Sequence, residues 1–492
     1  MIDTKIVQRR ILSLAIRGKL VPQDNQDEPI SALLDKIHSQ KQLASRRKKR
    51  PEHDNACKTK VEFTIPSTWQ WVKLGDICES CLGKMLDKTK NKGVFQSYLR
   101  NINVRWSEFD LSDLLQMRFE ESETERYSIN YGDLVVCEGG EPGRCAIWSS
   151  DTPIKFQKAL HRVRCYDGIL NKYIEIVLHS YALDGTLEKY YTGSTIKHLT
   201  GESLASISIP LPPTNEQKRI ISKVDNLSKY IKTLESSNRD IQLYLLKIRN
   251  KVLQDAIRGT LVMQDATDGD SSEELSNIIK SKGEVNLDAK IKKSKETPVM
   301  PITNEEKLFD IPINWSWCHL SDICVFLSRG KSPKYTETDK TYPVFAQKCN
   351  LKQGGISLDQ ALFLDPASLS KWTDEYKLKT GDILVNSTGT GTVGRTRLFN
   401  EAVLGKYPFV VPDSHVSVVR THNNVCSEYI YYLLLSKDIQ SYIEDNLAGS
   451  TNQKELYIGT LQNLPVPLPP YKEQIRIVQK LNSIISLIEK VQ

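Results

Sequence analysis

From Ile220 the apolar positions advance in steps of four and three. They are Val224, Leu227, Ile231, Leu234, Ile241, Leu245, Ile248 and Val252, with Asn238 the polar interruption. A 3.5-residue period is that of a coiled-coil seam, one narrow stripe that needs a partner helix. The run predicts a rod of about 33 residues, roughly 50 Å at 1.5 Å per residue. Pro213 precedes it, and Thr214 with Gln217 three residues on predicts a capping box at its start. Asn238 either fixes register or marks a local break. Ile477, Leu481, Ile484, Ile488 and Val491 carry the same period near the other end of the sequence. Short runs such as Asp382–Asn386 (DILVN) and Thr396–Phe399 (TRLF) read as strands.

The seam recurs because most of the chain does. Ile11–Val21 (ILSLAIRGKLV) matches Val252–Val262 (VLQDAIRGTLV), and Ile65–Cys78 (IPSTWQWVKLGDIC) matches Ile311–Cys324 (IPINWSWCHLSDIC). Gly139–Arg144 matches Thr390–Arg395, Gly193-Ser-Thr recurs at Gly449, and PLPPTNEQKRI from Pro210 returns as PLPPYKEQIRI from Pro467. These collinear matches define two copies of one unit of roughly 250 residues. The first is continuous from about residue 65 to 262. The second stops at Gln492, opposite Glu235, and its missing end stands at the N-terminus, where Met1 aligns with Gln242. The arrangement predicts a circular permutation in which the two chain ends meet and rebuild a second long helix.

The expected fold class is α+β: two sheet-rich domains separated by long antiparallel coiled-coil helices, with a pseudo-two-fold internal repeat. Residues 1–64 would be the N-terminal part of the second spacer helix plus a basic linker. Residues 65–212 form the first variable domain, 213–262 the central spacer helix, 263–310 a linker, 311–468 the second variable domain and 469–492 the C-terminal spacer helix. Arg46–Arg50 and Lys290, Lys292, Lys293 and Lys295 make both linkers basic, as expected of solvated tethers. Paired rods of fixed length would hold the two domains a set distance apart.

Composition narrows this only a little. A length of 492 residues suits about three domains, and 26% charged with 39% hydrophobic residues excludes a fibrous or wholly disordered chain. The net charge of +7 is compatible with a polyanionic partner. Ten cysteines are too dilute for a disulfide scaffold. No apolar signal-peptide core and no apolar run of spanning length occurs, so a cytoplasmic location is expected.

Catalytic motifs fail one by one. Gly389–Gly394 (GTGTVG) fits G-x-G-x-x-G but stands between two strand-like runs, and its repeat mate holds Glu141 and Pro142; a hairpin loop is expected, not a dinucleotide site. Gly330-Lys-Ser332 lacks the P-loop's earlier glycine, which would stand at Val325. Leu468–Tyr471 (LPPY) differs from the Asp/Asn-Pro-Pro-Tyr of amino-methyltransferases at the residue that must accept from the target base. Pro412-Asp413 has no downstream Glu-x-Lys of a nuclease. His53, Cys57, Cys78 and Cys81 could imitate a zinc set, but Cys78 pairs with Cys324 inside a repeated core segment. Asp413, Ser414 and His415 are neighbours in sequence and would point to alternating faces of a strand. Trp69, Trp71, Trp315 and Trp317 recur in both copies, which favours packing over base stacking.

What remains is loops rich in cations and amides. One domain offers Lys84, Arg100, Asn101, Asn103, Arg105, Arg144, Lys158 and Lys197. The other offers Lys331, Gln347, Lys348, Asn386, Ser387, Thr388, Arg395 and Lys454. Such side chains read base edges or grip phosphates, although each alone is more often plain surface.

AIRGKLVPQD, the IPxxWxWxxLxDI domain starts, the Gly-Ser-Thr stretches with lysine close behind and the two PLPPxxEQxRI helix entries together resemble the specificity subunits (HsdS) of type I restriction–modification systems. The resemblance covers nearly the whole chain. It implies two target-recognition domains that each read half of a bipartite double-stranded DNA site, unlike halves giving an asymmetric one. It further implies a non-catalytic chain whose helices dock two methyltransferase subunits that methylate adenine with S-adenosylmethionine. A restriction subunit using ATP and Mg2+ would join them. No cofactor or metal is then expected on this chain, and no membrane partner. The rival is a coiled-coil scaffold with two ligand-binding domains and no DNA.

Overall fold

The computed structural model describes residues 2–48, 62–87, 89–288, 302–389, 391–449 and 454–491, with the side chains of 42–48 and 283–288 left out. The Arg46–Arg50 and Lys290–Lys295 runs, His53, Cys57, Thr390 and Ser450-Thr451 therefore lie outside the described side chains. The chain divides into two compact units, residues 1–239 and 240–492. The boundary falls inside one long helix, Thr214–Ile257.

Unit 1 has two four-stranded sheets. The first runs Cys78–Leu82, Leu160–Cys165, Leu134–Cys137, Cys145–Ile147, all antiparallel. Its central strand Leu-Val-Val-Cys is buried on both faces, which is why it reads as a continuous apolar run. The second sheet runs Leu115–Phe119, Val94–Leu99, Ile154–Phe156, Ser128–Ile129 and includes one parallel pairing, Lys155 against Tyr98. A two-stranded ribbon, Gln70–Lys73 with Ser208–Leu211, brings the start of the domain to its end.

Unit 2 repeats the antiparallel sheet, the ribbon and the core of the mixed sheet. Its antiparallel sheet runs Cys324–Arg329, Val416–Thr421, Ile383–Asn386, Thr396–Leu398. Its mixed sheet runs Tyr335–Thr336, Leu362–Leu364, Pro343–Phe345, Val411–Pro412, again with one parallel pairing. Its ribbon joins Ser316–His319 to Pro465–Leu468. The expected hairpin around Gly389–Gly394 is present, since Val385 pairs with Thr396 across it.

The same locks close both frames. Trp69 donates its indole N–H to Glu216 Oε2 at 2.9 Å while Gln23 donates to Oε1 at 2.6 Å; Trp315, Glu473 and Gln264 do the same at the same distances. Burial lifts both glutamates above the ordinary carboxylate value. Arg219 grips Asp27 through both guanidinium nitrogens, and Arg476 grips Asp268. Within each unit, then, the segment after an AIRG helix end is clamped to the first turns of a PLPP helix. The AIRG helices, Thr4–Ile16 and Thr214–Ile257, both stop before a glycine at positive φ, Gly18 (66°) and Gly259 (72°). Lys19 and Thr260 then reach back to Leu14 and Asp255 carbonyls, as in a Schellman turn. The central helix thus ends at Ile257, short of the expected residue 262.

Two further expectations are corrected. The capping box at Thr214 does not form: Thr214 donates to the Gly168 carbonyl, and Gln217 bonds to Leu170 N and the Gly168 and Pro212 carbonyls. Gln474 makes the matching bonds to Cys426 N and Pro469 O. The linkers, moreover, contain helices, Ile30–Lys48 and Ser271–Asp288. Leu33 and Ile37 enter the first core and Ile278 the second. On these helices Lys41 and Lys282 donate to the carbonyls of Gly75 and of Ser321 and Asp322.

The seam is unevenly covered. Ile220, Val224 and Ile231 are buried, as are Ile477, Leu481 and Ile488. Ile241 and Ile248 are exposed, and so are Leu243, Tyr244 and Leu246 beside them.

Candidate nucleic-acid interface

In each unit a strand of the mixed sheet runs into a short 3-10 turn. In unit 1 it is Asn101–Asn103, after Val94–Leu99; in unit 2 it is Gln347–Cys349, after Pro343–Phe345. The strand register places Arg100 opposite Ala346, Asn101 opposite Gln347, Ile102 opposite Lys348 and Asn103 opposite Cys349. An asparagine braces each turn from inside. Asn103 accepts from Arg100 N at 2.9 Å and donates to the carbonyls of Asp110 and Asp113, and Asn350 donates to Asn386 Oδ1 and the Arg395 carbonyl. Each turn therefore keeps its shape while its outward side chains differ.

A second element abuts each turn, the glycine-rich hairpin loop. Arg144, after the Gly139–Gly143 loop, donates to the Asn101 carbonyl at 2.9 Å and to Glu141 at 2.6 Å. Arg395, its repeat mate, donates to the Asn350 carbonyl at 2.8 Å. Asn101 Nδ2 donates to Gly139 O at 3.2 Å. Gln347 Nε2 donates to Thr388 Oγ1, which also contacts His415 Nδ1 at 2.9 Å. Two of the loop candidates, Asn386 and Ser387, are fully buried: Asn386 accepts from Asn350, and Ser387 pairs with Ser417 at 2.7 Å.

The remaining candidates divide by what already holds them. Lys84 is 6% exposed, ion-paired to Glu123, bonded to Arg118 O and set 5.1 Å from the Phe119 ring. Burial alone would raise the Glu123 carboxyl, but Lys84 and the Glu120 N–H hold it below the usual range. Lys84, Asn103, Asn386 and Ser387 are therefore interior braces, not surface contacts, against the sequence expectation. A short polar or cationic residue next to a glycine looks the same in sequence whether it faces in or out. Arg100 is tied to Asp113 at 2.6 Å, Arg105 to the Ile102 carbonyl and Asp110, Lys197 loosely to Glu188, and Lys331 to Lys371 O above the Tyr376 ring at 3.9 Å. Lys158, Lys348 and Lys454 are exposed.

Asn350 and His415 were missed. Asn350 stands just after its turn with no local mark of its partners Asn386 and Arg395; His415 is weighed above only against Asp413 and Ser414, its sequence neighbours. Burial raises the Asp413 carboxyl, whose oxygen accepts from His415 N. Trp69 and Trp315 lie in the cores, 5% exposed each. Among the described residues no group of three or more His, Cys, Asp or Glu could hold a metal, and no helix is long and apolar enough to cross a membrane.

A duplicated α+β frame with divergent, amide- and cation-bearing turns defines a class of two-headed recognition proteins. The chain belongs to the type I restriction modification DNA specificity family, whose domain model matches residues 66–243 and 312–492. It is similar to the type I restriction enzyme EcoAI specificity subunit of Escherichia coli (25% identical, 99% of this chain, 90% of that protein) and to the EcoEI subunit of Escherichia coli (23%, 99% and 90%). It is also similar to the MjaVIII specificity subunit of Methanocaldococcus jannaschii (22%, 86% and 88%). A solved structure described as the basis of complex assembly and conformational transition of the type I R-M system shares the fold, with TM-score 0.57 and 18% identity over 87% of this chain and 93% of that one. Membership gives the chain a DNA sequence-specificity role in a type I restriction–modification system.

Proposed function

We propose that each unit reads one half of a bipartite, asymmetric DNA site and that paired long helices fix the gap between the halves. The observation that carries this is the contrast within each repeat. The locks at Trp69/Trp315 and Arg219/Arg476 are the same, while Asn101-Ile102-Asn103 stands opposite Gln347-Lys348-Cys349. Unlike readers on a common frame call for unlike half-sites. The apolar seam supports antiparallel pairing of the rods, permuted so that the N-terminal helix completes the second one. The exposed Leu243, Tyr244 and Leu246, which lie off the seam, support docking of methyltransferase subunits on the central helix. On this reading the chain is non-catalytic and works in the cytoplasm. Its partners carry S-adenosylmethionine, and a restriction subunit carries ATP and Mg2+.

Methylation profiling of DNA from cells carrying this chain with its methyltransferase tests the proposal. A two-part motif of fixed gap is expected; its absence overturns the reading. Inserting seven residues into both rods preserves the seam and adds about 10 Å. The preferred gap should widen by roughly three base pairs. A scaffold that does not use DNA would show no affinity that falls with salt.

A further inference from the structure

We propose that Asn101 and Gln347 are specificity-determining side chains, each reading the major-groove edge of an adenine through an amide already half-bonded to its own hairpin loop. The inference rests on the DNA-reading function proposed above and names the chemistry of its two readers.

The two residues open the equivalent 3-10 turns of their units, and each ends in the same place. Asn101 lies against Gly140 and Gln347 against Gly389, each the third residue after its strand, Leu134–Cys137 or Ile383–Asn386, with φ 81° and 100°. A Cβ on Gly140 would collide with Asn101 Nδ2, and one on Gly389 with Gln347 Oε1. Each loop thus forms a notch that only glycine leaves open, and an amide from the turn fills it.

The bonding leaves a defined remainder. A carboxamide carries two N–H donors and one carbonyl acceptor. Asn101 uses one N–H on Gly139 O, and Gln347 uses one on Thr388 Oγ1. Among the described residues, neither Oδ1 of Asn101 nor Oε1 of Gln347 receives a hydrogen bond. Each amide therefore keeps one donor and one acceptor side by side. Adenine presents the complement, an N7 acceptor beside an N6 amino donor, and pairs with Asn or Gln in this two-bond manner. The committed N–H fixes the amide's rotation, so its orientation is set before DNA arrives.

Arg144 and Arg395 are positioning residues in this scheme. Each guanidinium is directed into its own turn, onto the carbonyls of Asn101 and Asn350. The Arg144 side chain is only 14% exposed and also holds Glu141. They fix the distance between turn and loop rather than gripping phosphate.

The test is methylation profiling of the complete complex with Asn101→Ala, Gln347→Ala and Gln347→Glu chains, alongside DNA binding across a salt series. Asn101→Ala should loosen one A·T position in one half-motif, with discrimination falling roughly tenfold or more, and leave the other half intact. Gln347→Ala should do the converse. Gln347→Glu, which swaps the N–H2 for an acceptor at equal size, should shift preference at its position toward cytosine, whose N4 amino group a carboxylate accepts. Arg144→Ala should blur the same base pair as Asn101→Ala without changing the slope of log affinity against log salt. A lost phosphate contact would instead flatten that slope by about 1. Half-motifs unchanged in all three amide variants, or loosened equally at every position, overturn the proposal. If the unaltered chain yields no two-part motif, the underlying DNA-reading function fails first, and the two failures are told apart.

Discussion

The two units differ most where their surfaces and sheet ends carry polar groups and least where chain segments are clamped. Unit 2 buries a polar cluster beneath its hairpin loop: Asn350, Asn386, Ser387, Ser417 and Asp413. At the matching points of unit 1 stand Val104, Cys137, Glu138, His161 and Gln157. Unit 1 instead buries a charge-bearing cluster on its helix Asn171–Asp184. There Trp106 stacks on His179 at 4.2 Å, and Glu175 takes bonds from Ser107 and Lys172. Unit 2 has Tyr431 and Leu435 in place of Glu175 and His179. The lesson is that this frame tolerates different interiors as long as its buried ion pairs and indole–carboxylate locks persist. The difference between the units reaches one layer below the surface, but not into the clamps.

The largest test of that comparison is the buried ion pair shared by both sheets. Arg420 holds Asp382 through two bonds, 2.6 and 2.7 Å, and Arg164 holds Asp133 at 2.7 and 2.8 Å. The Arg420 side chain is 16% exposed and the Arg164 side chain 36%. Asp382→Ala should destabilise unit 2 by about 3–5 kcal/mol, because it strands a buried cation. Asp133→Ala should cost less, since water reaches Arg164. Equal losses in denaturant melts would contradict the ranking.

Acid should separate the units next. Burial, helped by nearby Lys172, pushes His179 down to about 4, and burial lowers His161 as well. A depressed histidine is neutral in the folded state, so its contribution is whole above its ordinary value near 6.5 and is lost as pH falls toward 4. For His179 the loss is about 3 kcal/mol. Unit 1 should therefore melt before unit 2 as pH drops through this window, and His179→Leu, which installs the unit 2 residue, should narrow the difference. A pH-independent order of melting would remove the histidine from the account.

Smaller effects probe what is shared. Trp69→Phe and Trp315→Phe each deprive a buried glutamate of one donor and should cost about 1–3 kcal/mol, alike in the two units. A large disparity would show that the locks only look equivalent. Smallest is the salt response. Lys158→Ala and Lys348→Ala should each reduce the slope of log affinity against log salt by about 1 if they meet phosphates. Lys84→Ala should leave that slope alone and lower the melting temperature.

How much of this was legible follows from what sequence can encode. Repeat matches exposed the two copies, because PLPP, the tryptophans and AIRG are tied to backbone and core positions that cannot drift. The rod was legible from its 3.5-residue period. The helices Ile30–Lys48 and Ser271–Asp288 were hidden by lysines and arginines, although Leu33, Ile37 and Ile278 supply the buried stripe. Lys84 was misread because its partner Glu123 lies 39 residues away and leaves no local mark. The capping box at Thr214 had the right letters, but tertiary contacts with the Gly168–Leu170 turn claimed both side chains.

The boundary between the units lies between Arg239 and Asp240, within uninterrupted helical turns and next to Asn238. A gene exchange that crosses over at this point would transplant one half of the reader whole, with its clamps and interior intact. On the proposed pairing of the rods such a graft is constrained by phase: gain or loss of seven residues keeps the apolar stripe in step, whereas four or three would turn it out of step. Inheritance of new pairings from old halves would then be written into the spacing of a few leucines and isoleucines.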